Sequence, residues 1–276
     1  MGLTTDSTSR QTTIAVDNGT YYIAGKHAKM TEEALEEFNA EHDFFTLNES
    51  ASDFLKEVQG LADSRFKHGD KSNGRLYLHY ITPKHGYDTE DHEQVLSELG
   101  IADQETASID DFIQACENRA FAAINSLVLS RSGEITNDDA GQILYLLGTL
   151  LHVYQDEKHR QGNIFHDESQ VLTSPEHFTS EIHQSFTDLF PTKKRKATAV
   201  DTSLQFFMRF DQSMRAGCNE FTNEFYERLG SFAPSAYTDA YNYRPAYSED
   251  NPYLDMDTIF PVYEECEKKD ECPDWR

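Results

Sequence analysis

Apolar residues return along most of this chain at three- and four-residue intervals, the period of a helix with one buried face. Ala34, Leu35 and Phe38 mark the first such face, and Thr31 stands before them as a cap. Phe54, Leu55, Val58 and Leu61 predict a second helix over 52–61. Further helices are predicted over 91–99 and 109–129. A strongly apolar one follows over 140–159, capped by Asn137, Asp138 or Asp139. Pro175 suits the first turn of another, reaching about position 189. Leu204, Phe207, Met214, Cys218, Phe221 and Phe225 predict one long helix over 202–229, closed by Gly230.

The segments without this period divide the chain. Residues 1–20 are rich in Ser and Thr and read as a flexible arm. Residues 64–90 are rich in Gly, Asp, His and Tyr and read as a long loop, with short extended pieces over 75–81. A loop of that length inside a compact domain usually carries function. The basic cluster Lys193, Lys194, Arg195 and Lys196 reads as a solvated loop between helices. Residues 231–276, rich in Pro, Tyr and Asp, read as an irregular extension packed on the domain. The expected organisation is an arm over 1–20, an α-helical domain over 21–230 and the extension over 231–276, with no internal repeat.

Composition narrows the classes. Apolar residues are 38% and aromatic residues 12% of the 276, enough for a real core and against a disordered chain. The net charge is −25, from 24 Lys and Arg against 49 Asp and Glu. Such a surface repels phosphate backbones, so nucleic acid and anionic membranes are poor partners. The longest apolar run, 143–154, is too short to span a bilayer. The first ten residues lack the basic and apolar regions of a signal peptide. Asp6 stands where a myristoylation signal needs Ser or Thr. The compartment stays open between the cytosol and a secreted or translocated mature form. Cys116, Cys218, Cys266 and Cys272 form no zinc-type Cys-x-x-Cys pair, and Cys266 and Cys272 suit either a loop disulfide or free thiols.

The 11 histidines carry the chemistry. His152, Asp156 and His159 fall at i, i+4 and i+7 and share one helical face, within reach of one metal or two adjacent ones. Imidazole nitrogen and carboxylate oxygen are ligands that zinc accepts. A salt bridge between His and Asp at a helix end explains the same spacing. His177 and Glu181 make a second i, i+4 pair, which reads either as a solvated pair or as a ligand pair from a facing helix. His42, His68, His85 and His92 sit among charged residues and read as exposed, with His85 a reserve ligand in the long loop. The acidic stretch over 248–257 lacks the order of a calcium loop and reads as solvated.

These residues, in order, resemble the zinc-dependent phospholipase C and P1 nuclease superfamily. Leu147, Gly148, His152 and Asp156, then a His, then His177 and Glu181, follow its Leu-Gly-x3-His-x3-Asp and His-x3-Glu pattern. Gln155 beside Asp156, with the later His159, is most similar to the branch of fungal heterokaryon-incompatibility-C-like proteins. The run His27-Ala28-Lys29-Met30-Thr31-x2-Ala34-Leu35 is similar to that branch's opening, and Asp63 precedes His79 as the family places its Asp and His. The resemblance covers roughly residues 20–190.

It implies a mostly α multi-helix bundle of that type and a metal-dependent phosphoric ester hydrolase. Asp63, His79, His152 and Asp156 would hold one zinc, and His159, His177 and Glu181 a second. His27 and Asp156 would share a third, and His166 is the alternative to His159. Phospholipase-type members complete the third site with an amino-terminal Trp, whereas the one Trp here is Trp275, so two or three zinc ions are expected. Asp63 would serve as the general base toward a metal-activated water. The acidic surface selects a phospholipid, with a zwitterionic headgroup, as the expected substrate. The alternatives are a P1-type nuclease or other phosphoesterase, and a non-catalytic, zinc-stabilised toxin-like or membrane-interaction protein.

Overall fold

A computed structural model describes residues 24–41, 46–65, 78, 89–102, 108–160, 193–234 and 254–261. Among these residues all regular structure is helical, and there is no strand. In chain order the helices are α1 (Ala24–Glu41), α2 (Glu49–Arg65), α3 (Thr89–Glu98), α4 (Ile109–Ser130) and α5 (Asn137–Arg160). They continue with α6 (Lys193–Cys218), α7 (Thr222–Gly230) and the single turn α8 (Met256–Ile259).

Helices α1, α2, α5 and α6 pack on one another as the central group, with α4 laid against α6. Each buries the stripe that its sequence period marks. Ala34, Leu35 and Phe38 of α1 and Phe54, Leu55 and Val58 of α2 enter a continuous core with Leu147, Leu150 and Leu151 of α5. The aromatic part of that core is centred on α6: Phe206 and Phe210 meet Phe121 of α4 at ring separations of 5.7 and 5.3 Å, and Phe207 meets Phe38 at 5.9 Å. Rings at these distances in tilted poses contribute beyond their buried area.

Two close approaches set the spacing of the layers. Gly148 of α5 faces α2 so closely that a Cβ there would stand 2.7 Å from Val58 Cγ1. Gly217 near the end of α6 lies against Asn125 of α4 in the same way, at 2.5 Å. The turn from α4 to α5 uses left-handed backbone at Ser132 (φ 53°) and Gly133 (φ 84°). Gly133 N–H donates back to Val128 O at 2.9 Å, which closes the helix end.

Helix boundaries depart from the sequence period where capping or packing overrides it. Thr31 is not a cap: α1 begins at Ala24, and the Thr31 hydroxyl faces inward to Gln59. Helix α5 is capped by Thr136, whose hydroxyl accepts from Asp139 N–H while Asp139 accepts from Thr136 N–H. Asn137 instead holds the segment after α7, through Ala233 N–H and O. The stretch 193–196 is the first turn of α6, not a loop. The long helix expected over 202–229 is broken by a 3-10 turn at Asn219–Phe221. After the break α7 packs against α5 and α6, and Phe225 and Tyr226 face Phe210 at 6.2 and 6.3 Å. Residues on both sides of the break, among them Met214, Cys218 and Phe225, enter one core, so the apolar period carries across it.

The described part of the C-terminal extension is ordered on the domain. Leu254, Ile259 and Phe260 are buried, and Arg119 of α4 donates to Thr258 O at 2.8 Å. The arm over 1–20, the helix expected after Pro175 and most of the loop over 64–90 lie outside the described residues.

Candidate functional site

The central helices bring polar side chains together inside the core. His27 and Thr31 lie one turn apart on α1, Gln59 on α2, His152 and Gln155 one turn apart on α5, and Ser203 on α6. All six are buried, at 0–1% exposure. Polar groups so deep are costly unless bonded to one another, and most of their bonds run within this group.

The Ser203 hydroxyl donates to Ala199 O at 2.9 Å, so its oxygen accepts from the Gln155 amide at 3.0 Å. The same amide nitrogen donates to Thr31 Oγ1 at 2.9 Å. Gln59 closes the other side of Thr31 at 2.6 and 2.9 Å. Gln155 Oε1 then faces His27 Nδ1 at 2.8 Å. The His27 and His152 rings lie beside each other with centroids 4.6 Å apart and planes tilted by 42°.

Of the ligands expected from the sequence, the structure therefore brings His27 and His152 together from helices about 125 residues apart in the chain. Asp63 lies on the last turns of α2, and Asp156 and His159 on those of α5; their side chains lie outside the described residues. His79, His166, His177 and Glu181 lie wholly outside them. Among the described residues no group of three or more His, Cys, Asp or Glu side chains stands together to hold a metal. The two imidazoles suit zinc in donor type. A His ring nitrogen held by a fixed acceptor is also the usual support of a metal-bound imidazole.

Sequence reasoning passed over Gln59 and Ser203, and read Thr31 as a cap. Ser203 had a signal: it occupies a core position between Ala199 and Phe206, where the period calls for an apolar side chain. Glu117 has the same signature on α4. Its buried carboxylate accepts from Arg209 Nε at 2.8 Å and Nη2 at 2.7 Å, a two-pronged pair. The Arg209 guanidinium also covers the Tyr154 ring at 5.0 Å. Burial pulls Arg209 down, but the bonds and charge of Glu117 outweigh it and hold the group above its ordinary value. Burial, and then the Glu117 carboxylate, raise the Tyr154 phenol far above its usual range. Tyr154 thus stays neutral.

Cys116 and Cys218 are free and buried. Burial pushes the Cys116 thiol up to about 12, so it packs as an inert apolar group. No described helix is long and apolar enough to cross a membrane. No family model matches this chain, no curated protein matches its sequence, and no solved structure matches its fold.

Proposed function

We propose that this chain is a zinc-dependent phosphodiesterase of the phospholipase C type, acting on phospholipids with zwitterionic headgroups. The observation that carries the reading is the buried pairing of His27 with His152, 4.6 Å apart and backed by Gln155. Two imidazoles from distant helices, inside an apolar bundle, are what a bundle metal site needs. His27 and His152 would bind, with Asp63, His79, Asp156, His159 or His166, His177 and Glu181 as the further ligands of two or three ions. Zinc, when bound, supplies an acidified water and positive charge for the phosphate oxygens. Asp63 would take the proton of that water. The acidic chain, at −25, favours a zwitterionic lipid over the polyanionic substrate of a nuclease. Exposures of 1% and 0% at the two rings favour a second reading, in which a closed zinc site serves stability alone.

Metal analysis and hydrolysis assays on the full chain separate these readings. The expected result is two or three zinc ions per chain and chelator-sensitive release of headgroup from phosphatidylcholine, with single-stranded DNA left intact. Cleavage of the DNA instead selects the nuclease. Zinc without hydrolysis of either selects the stability role, and no zinc after preparation without chelator overturns all three.

A further inference from the structure

We propose that Gln155 is a positioning residue that locks His27 as the tautomer with its proton on Nδ1, and so presents Nε2 as the ligating atom. The metal half of this inference rests on the function proposed above; the tautomer half does not.

The argument starts at Ser203. Its single hydroxyl proton goes to Ala199 O, within its own helix. With that proton on Ala199 O it accepts toward Gln155, and the group facing it at 3.0 Å is the amide NH2. The second proton of that NH2 goes to Thr31 Oγ1. The reversed amide would draw the Ser203 proton off Ala199 O and the Thr31 proton off Gln59 Oε1, giving up two bonds inside the core. The amide oxygen is therefore fixed toward His27, and an oxygen without a proton requires that Nδ1 donate. In a neutral imidazole the remaining lone pair is then on Nε2. Four helices share in this choice: α1 supplies His27 and Thr31, α2 Gln59, α5 Gln155 and α6 Ser203. Gln155 also sits one turn from His152, so the group that orients one ring shares a helix with the other.

The test is nitrogen-15 NMR of the full chain with labelled histidine, under metal-free and slightly alkaline conditions, paired with a zinc titration. The wild type is expected to show the Nδ1–H pattern at His27. Gln155→Glu keeps an acceptor there, and is expected to keep the pattern and to hold zinc affinity within a few-fold. Gln155→Leu is expected to lose the pattern and to weaken zinc by about 10–100-fold, the usual cost of removing such support. Ser203→Ala frees the amide to reverse. It is expected to mix the two tautomers with the helix content unchanged, and it serves as the readout if Gln155→Leu does not fold. An Nε2–H pattern in the wild type overturns the proposal, as does an unchanged pattern in Gln155→Leu or, should that variant not fold, in Ser203→Ala. A wild type that binds no zinc overturns the delivery of Nε2 together with the proposed function, while the NMR pattern still decides the lock.

Discussion

Glu117 is a carboxylate held in the core by one strong partner. Its side chain is 2% exposed, and the Arg209 that faces it is 35% exposed. Removing one member of a fully buried pair costs about 3–5 kcal/mol, and partial exposure of Arg209 lowers that figure. Arg209→Ala is therefore expected to destabilise the fold by about 2–3 kcal/mol in urea unfolding. The double variant Glu117→Leu with Arg209→Met is expected to regain most of the loss, because no charge is left stranded. A double variant no more stable than Arg209→Ala would show that the pair, not its desolvation, governs the site.

At the scale of elements, close packing and capping explain features that a motif reading assigns to chemistry. Gly148 belongs to the Leu-Gly-x3-His-x3-Asp pattern, yet its structural role is to let α5 approach α2. Gly148→Ala must push Val58 or part the two helices, and an expected loss of roughly 1–3 kcal/mol follows from overpacking. Because His152 lies one turn beyond, the same variant should also disturb the His27 ring in NMR spectra. Helix α4 shows what a cap contributes. Ser108 accepts from Asp111 N–H, and Asp111 accepts from Ser108 N–H and its hydroxyl. The side-chain and then the backbone bond from Ser108 hold the Asp111 carboxyl below its ordinary 3.8. Its folded value is depressed, so its contribution is full above the unfolded value and is lost as pH falls through the folded one. Ser108→Ala is therefore expected to lower the melting temperature near neutral pH, with the gap to wild type closing as the solution is acidified below about pH 4. A gap independent of pH would mean that the charge takes no part in the cap.

For the whole molecule, the consequence of a metal centre joining distant helices is linkage. A ligand that binds only the folded chain stabilises it by about 2.7 kcal/mol at a hundred times its dissociation constant. For a chain of this size that is a shift in melting temperature of roughly 5–10 °C. Chelator is expected to lower the midpoint by that amount, and added zinc to restore it. His152→Ala should remove the response, whereas His42→Ala should leave it intact. Equal responses in the two variants would mean that His152 is not a ligand.

Much of the helical frame was legible from the sequence, because a buried stripe at 3.6-residue spacing needs no knowledge of its partner. The predicted 109–129 and the observed Ile109–Ser130 differ by one residue for that reason. The break at Asn219–Phe221 was not legible, since the packing of α7 on α5 is an event between segments, and the turn at 193–196 was not, since its four basic residues carry no apolar position to mark a period. Of the candidate site, periodicity placed His152 on the inner face of α5, and the resemblance singled out His27. That the two rings meet, that Gln155 backs His27, and that Thr31, Gln59 and Ser203 complete the network were decided only by tertiary packing. A hydrogen bond across 128 residues leaves no mark in local spacing, because its geometry exists only once four helices have closed around it.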